Sequence, residues 1–207
     1  MASPAIAVPR MITTQTRQTL EALATAATRF DLVLVPGFKD SGPDHWQSLW
    51  QSQSPVFQRI VQRRWDNPDI ELWIAAIQRL IAGRGRPALL IGHSLGALAS
   101  SCLAADRHPL VAGLMLVAPA EPARFEAEDR VPQCPLGVPS VVVASRNDSF
   151  MGFRRAESWG RLWGADLVDL GDAGHINAEA GFGPWRHGLD IVVRLAARID
   201  GDCRRGP

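Results

Sequence analysis

The stretch that most constrains this chain covers residues 87–99, Pro-Ala-Leu-Leu-Ile-Gly-His-Ser-Leu-Gly-Ala-Leu-Ala. Its first half is a short apolar run suited to a buried strand, and its second half is an Ala- and Leu-rich helix former. Between them residues 92–96 spell Gly-x-Ser-x-Gly. A chain that passes from strand to helix in so few residues turns sharply, and strand and helix must approach with no Cβ in the way. Gly92 and Gly96 supply that room. Ser94, at the apex, is then held in strained backbone geometry with its hydroxyl lifted clear of both elements. It is a candidate nucleophile, and the N–H of Leu95, at the start of the helix, is a candidate donor to an oxyanion.

Strand and helix signals alternate along the rest of the chain. Unbroken apolar runs over residues 31–36, 111–118, 140–144 and 165–170, with a shorter β-type segment over 56–62, read as strands buried on both faces, as in a parallel sheet. Residues 14–29 can form a helix with Leu20, Leu23 and Ala27 on one face. Further helices are expected over 44–50, over 69–82 (ended by Gly83 and Gly85), from the serine turn to about Asp106, over 153–163 and over 184–199. The expected organisation is a partly disordered or helical arm over 1–30, one domain over 31–200 and a frayed tail over 201–207. The expected fold class is α/β, a single domain with a parallel sheet and helices on both faces.

Composition narrows the function classes. A chain of 207 residues suits one core, since single cores grow to roughly 250 residues. Its 22 basic and 21 acidic residues leave a net charge of +1, and the arginines are scattered, which speaks against a nucleic-acid partner. Cys102, Cys134 and Cys203 form no CxxC pair, so neither a disulfide framework nor a zinc site is expected, and a reducing, cytoplasmic location fits. No apolar run approaches the roughly 18 residues of a membrane span. The apolar residues 5–8 lie between Pro4 and Pro9, too short a stretch for a signal peptide. No cluster has metal-ligand spacing, so no metal and no cofactor is expected.

A serine hydroxyl is a weak nucleophile, so a base and a group orienting that base should lie nearby. In open α/β sheets such groups follow the carboxyl ends of strands. After the strand at 140–144 comes Ser145-Arg146-Asn147-Asp148, and after that at 165–170 comes Gly171-Asp172-Ala173-Gly174-His175. Asp148 and His175 give the order Ser…Asp…His, with the imidazole taking the serine proton and the carboxylate fixing its tautomer. Asp172, three residues before His175, is the competing acid, though its place suits a turn residue better. His93 cannot reach its neighbour's hydroxyl in the required geometry, and His45 lines the pocket or caps its helix. His108 and His187 read as helix-end or surface residues. Gly37 lets the loop after the first strand pass close to Ser94, which makes the N–H of Phe38 the second oxyanion donor.

Taken together, Pro36-Gly37-Phe38, Ser41-Gly42-Pro43-Asp44-His45-Trp46-Gln47, the Ser94 turn, Asn147-Asp148, Trp163-Gly164-Ala165, Gly174-His175-Ile176-Asn177 and Gly181-Phe182-Gly183-Pro184-Trp185 resemble an α/β-hydrolase. Within that superfamily the resemblance is to the small serine hydrolases typified by retinoblastoma-binding protein 9, over about residues 31–198. It implies six parallel strands in the order 2-1-3-4-5-6, no large lid, and a triad of Ser94, Asp148 and His175. Retinoblastoma binding by a Leu-x-Cys-x-Glu motif is not expected, since Cys102 stands between Ser101 and Leu103.

The expected function is therefore hydrolysis of small esters or related acyl compounds through an acyl-enzyme, with a small acyl molecule as substrate. The rival is a binding protein on the same fold that does no turnover. Residues 120–139, with Pro122, Pro132, Pro135 and Pro139, are too short and broken for a helical cap. Phe38, Trp46, Phe182 and Trp185 are expected to ring Ser94, with His45, Trp46, Phe182 and Trp185 binding substrate.

Overall fold

The computed structural model describes residues 14–205. Residues 1–13 of the expected arm and the last two residues of the expected frayed tail lie outside them. The elements run α1 (Thr14–Arg29), β1 (Asp31–Val35), α2 (Trp46–Gln53), β2 (Phe57–Arg59), α3 (Ile70–Arg84), β3 (Ala88–His93), α4 (Leu95–Ala105), β4 (Val111–Val117), β5 (Ser140–Ala144), α5 (Phe153–Trp163), β6 (Asp166–Asp169) and α6 (Arg186–Arg205). The six strands form one parallel sheet in the order β2-β1-β3-β4-β5-β6.

Alternation along the central strands sorts their side chains into two cores. Val33, Val35, Leu90, Leu114, Leu116 and Val142 face α3, α4 and α5. Leu32, Leu34, Leu89, Ile91, Met115 and Val143 face α1, α2 and α6. Most of these are wholly buried, and each such side chain contributes about 2 kcal/mol by leaving water. At the amino end of the sheet the buried carboxylate of Asp31 is held by Arg84 at 2.7 Å and Arg86 at 3.3 Å. The functional loops lie at the opposite edge. There β1 leads to β2 on one side and has β3 on the other, so a crevice opens above their carboxyl ends.

Several sequence expectations need correction. Gly83 lies inside α3, and the helix ends at Gly85 alone, the residue with a left-handed φ of 65°. β6 is no buried apolar run: among the described residues it is an edge strand, paired with β5 alone, and Asp166 and Asp169 are exposed. α6 starts after Trp185 and continues to Arg205, through most of the tail expected to fray. In α1 the buried residues are Leu23 and Ala26, while Leu20 faces water. This helix packs against α6, where the Thr19 hydroxyl donates to Asp190 at 2.9 Å.

Candidate active site

Ser94 sits between β3 and α4 with φ 55° and ψ −121°, a conformation that costs an L-residue about 1–3 kcal/mol. The surroundings enforce it. The Ser94 N–H remains bonded to Val117 O of β4 at 3.0 Å, while its carbonyl already accepts from Ala97 N at 3.0 Å. The flanking glycines leave no alternative. A Cβ on Gly92 would lie 2.6 Å from Gly96 O, and one on Gly96 would overlap the carbonyls of Val35 and Pro36.

The loops after β5 and β6 bring two further groups to this serine. The Ser94 hydroxyl is 3.0 Å from His175 Nε2, and His175 Nδ1 is 2.9 Å from Asp148 Oδ2. The second oxygen of Asp148, 3.0 Å from the same nitrogen, also accepts the Phe150 amide at 2.8 Å. A carboxylate on Nδ1 selects the tautomer with its proton there, which leaves Nε2 free to accept from Ser94. Asp172, the competing acid, is exposed and makes no bond to His175.

The Gly37–Phe38 loop comes as close to the serine as the sequence suggests. A Cβ on Gly37 would stand 2.9 Å from Ser94 Cβ. The loop is fixed by Trp73 Nε1–H, which donates to Pro36 O at 2.8 Å, and by Lys39 N, which donates to Trp65 O at 2.9 Å. Among the described residues neither Phe38 N nor Leu95 N has a backbone acceptor, so both amides are available to a ligand.

The Ser-Gly-Pro-Asp-His-Trp-Gln segment supports this edge from beneath. Gln47, wholly buried, donates from Nε2 to Val35 O at 3.3 Å and Ile91 O at 3.0 Å, and accepts from the Ser41 hydroxyl at 2.7 Å. It thus ties the ends of β1 and β3 together. His45 caps α2 through Nδ1, which accepts from Gln47 N at 3.2 Å, and it also lines the cavity. Burial first, then the charge of Arg59 and the nearness of His175, push its pKa down to about 4. Burial, and then His175 and His45, hold His93 well below the ordinary histidine value.

Both rings are therefore neutral when folded, whereas in the unfolded chain they take up protons below about pH 6.5. Their contribution to stability is present above about pH 6.5 and is lost as pH falls below it, for His45 down to its folded value of about 4. For His45 the loss is about 3 kcal/mol. Urea midpoints should accordingly decline across that window, and His45→Gln should flatten the decline. A midpoint constant from pH 7 to 4.5 would contradict it.

The cavity over Ser94 measures about 570 Å³. Its walls are Phe38, Phe125 and Phe150, with Lys39, Arg124 and Glu179 among its polar lining. Trp46, Phe182 and Trp185 do not line it. Trp46 is wholly buried, with rings of Trp50 at 4.6 Å and Trp185 at 5.2 Å, and Phe182 packs edge-on against Trp185 at 5.6 Å. These aromatics pack against one another between α2 and the start of α6, in the tilted and edge-to-face pairs that aromatic rings prefer. The sequence reading missed Phe125 and Phe150. Phe150 had a signal, standing two residues after Asp148; its ring stacks on His175 with centroids 4.1 Å apart.

Comparison with known proteins identifies the family and the fold. A family model described as "Serine hydrolase" matches residues 32–194. A YdeN-like hydrolase from Pectobacterium atrosepticum superposes with a TM-score of 0.86 at 46% identity, over 88% of this chain and 98% of that one. The ydeN gene product of B. subtilis superposes at 0.65 with 18% identity, over 81% and 99%. An esterase domain from Rhodothermus marinus does so at 0.64 with 17% identity, over 83% and 88%. The last two share the fold. No curated protein matches the chain. With its strand-turn-helix serine, its sheet order and a family match spanning most of its length, this chain belongs to the serine hydrolase family.

Proposed function

We propose that the chain is a carboxylesterase-like enzyme that cleaves small acyl esters through a covalent acyl-enzyme. The observation that carries this reading is the unbroken line of hydrogen bonds from Asp148 through His175 to Ser94 at the floor of the cavity. Ser94 Oγ attacks the ester carbonyl as His175 Nε2 takes its proton. The oxygen of the tetrahedral adduct is met by the N–H groups of Phe38 and Leu95. The imidazolium, held by Asp148, then protonates the departing alkoxide as the carbon–oxygen bond breaks. Water, deprotonated by the same imidazole, attacks the acyl carbon; the bond from that carbon to Ser94 Oγ then breaks, the imidazolium returns its proton to Oγ, and the carboxylic acid leaves.

Substrate size follows from the walls. The segment between β4 and β5 holds a single short turn of 3-10 helix, Pro122–Phe125, and no cap. Three phenylalanines bound a space suited to a compact apolar acyl group, and each methylene contributes about 0.8 kcal/mol only while it stays inside. Hydrolysis of a p-nitrophenyl ester series should therefore peak at about two to four acyl carbons. A maximum at eight carbons or more would show a lipid-sized groove and contradict the assignment of the walls.

A further inference from the structure

His175 stands on a backbone that does not rest easily. The residue before it, Gly174, has φ 56°, and the residue after it, Ile176, has φ 49°. A β-branched side chain in the left-handed region is an outlier and needs outside restraint. The loop is held from one side through its N–H groups: Ala173 N donates to Ser145 Oγ at 2.9 Å and Gly174 N to Asn147 Oδ1 at 2.7 Å. From the other side two consecutive carbonyls are each met by a ring N–H. His93 Nε2 lies 2.9 Å from His175 O, and Trp46 Nε1 donates to Ile176 O at 2.9 Å. A carbonyl only accepts, so His93 carries its proton on Nε2.

We propose that His93 and Trp46 form a two-point clamp that positions the general base, holding the strained loop so that the imidazole of His175 faces Ser94. Neither side chain takes part in the chemistry. Both are buried, and their rings meet edge to face with centroids 6.1 Å apart, so the two donors brace one another. His93 immediately precedes Ser94. The nucleophile segment and the base segment are thus joined twice, once by Ser94 to the His175 ring and once by His93 to the His175 main chain. Without the second link the loop can relax towards ordinary φ values and carry the ring away from the hydroxyl. Misplacement of about 1 Å costs roughly 100-fold in rate.

This inference rests on the proposed esterase reading, and its test separates the two. Trp46→Phe removes the N–H and keeps most of the ring. His93→Ala removes the other donor, and His93→Gln restores an N–H at similar reach. The readouts are kcat and KM on p-nitrophenyl acetate, the melting temperature, and the downfield proton resonance of His175 Nδ1–H with its rate of exchange with water. Trp46→Phe and His93→Ala should each lower kcat about 10- to 100-fold with KM within about twofold. The resonance should broaden in both, while His93→Gln recovers most of the rate and the signal. Wild-type kcat and an unchanged resonance in folded Trp46→Phe and His93→Ala would overturn the clamp, as would a loss of rate that His93→Gln fails to restore. A wild type without turnover whose resonance still responds to these variants would sink the esterase reading and leave the clamp standing.

Discussion

Ser94→Ala and His175→Ala should each lower kcat by roughly 10⁵- to 10⁶-fold while the melting temperature stays near that of the wild type. The two act as one unit, so the double variant should be hardly worse than either single one. What remains comes from the N–H groups of Phe38 and Leu95 and from binding. Asp148→Asn should cost less, about 10⁴-fold, because the asparagine still fills the site but presents an amide where His175 Nδ1–H needs an acceptor. Asp172→Asn should be silent in steady-state kinetics, since Asp172 is exposed and bonds to neither group. An Asp172→Asn variant more damaged than Asp148→Asn would reverse the assignment of the acid.

The second large effect concerns stability. Gly96→Ala should destabilise the fold by about 3 kcal/mol or more, a large share of the roughly 5–15 kcal/mol by which such domains are stable. The added Cβ would overlap the main-chain oxygens of Val35 and Pro36, which cannot rotate away as a side-chain end can. Relief would require α4 to lift from β1, which opens the core holding Leu95 and Leu98. Gly42→Ala, with nothing within 4 Å of its Cβ, should lie within about 0.5 kcal/mol of wild type. Urea denaturation of the three proteins measures this, and equal midpoints for Gly96→Ala and Gly42→Ala would contradict the packing argument.

What is legible in the amino-acid sequence is what local chemistry dictates. Buried parallel strands leave unbroken apolar runs, so β3, β4 and β5 stood out, and the elbow is a demand of backbone sterics written in two glycines. The positions of Asp148 and His175 followed from strand ends. The aromatic walls did not follow, because an aromatic beside a site loop serves equally as lining or as core. Trp46 and Trp50, four apart on α2, share one helix face, and that spacing pointed inward. Phe125 belongs to a loop without periodicity, and only the return of the chain from β4 brings it over Ser94. The arm was legible as a helix but not as part of the fold, since its partner α6 lies at the other end of the chain. β6 was harder: an edge strand with few buried residues leaves a weak apolar signature.

The most direct test of the central claim, that Ser94 is a nucleophile activated by His175 and Asp148, is covalent labelling by a fluorophosphonate followed by peptide mapping. The geometry predicts one adduct per chain on the peptide that carries Ser94, absent in Ser94→Ala and formed far more slowly in His175→Ala and Asp148→Asn. A folded wild-type protein that forms no adduct, or one labelled at another serine and turning over equally well as Ser94→Ala, would contradict the claim and favour a binding protein on this fold.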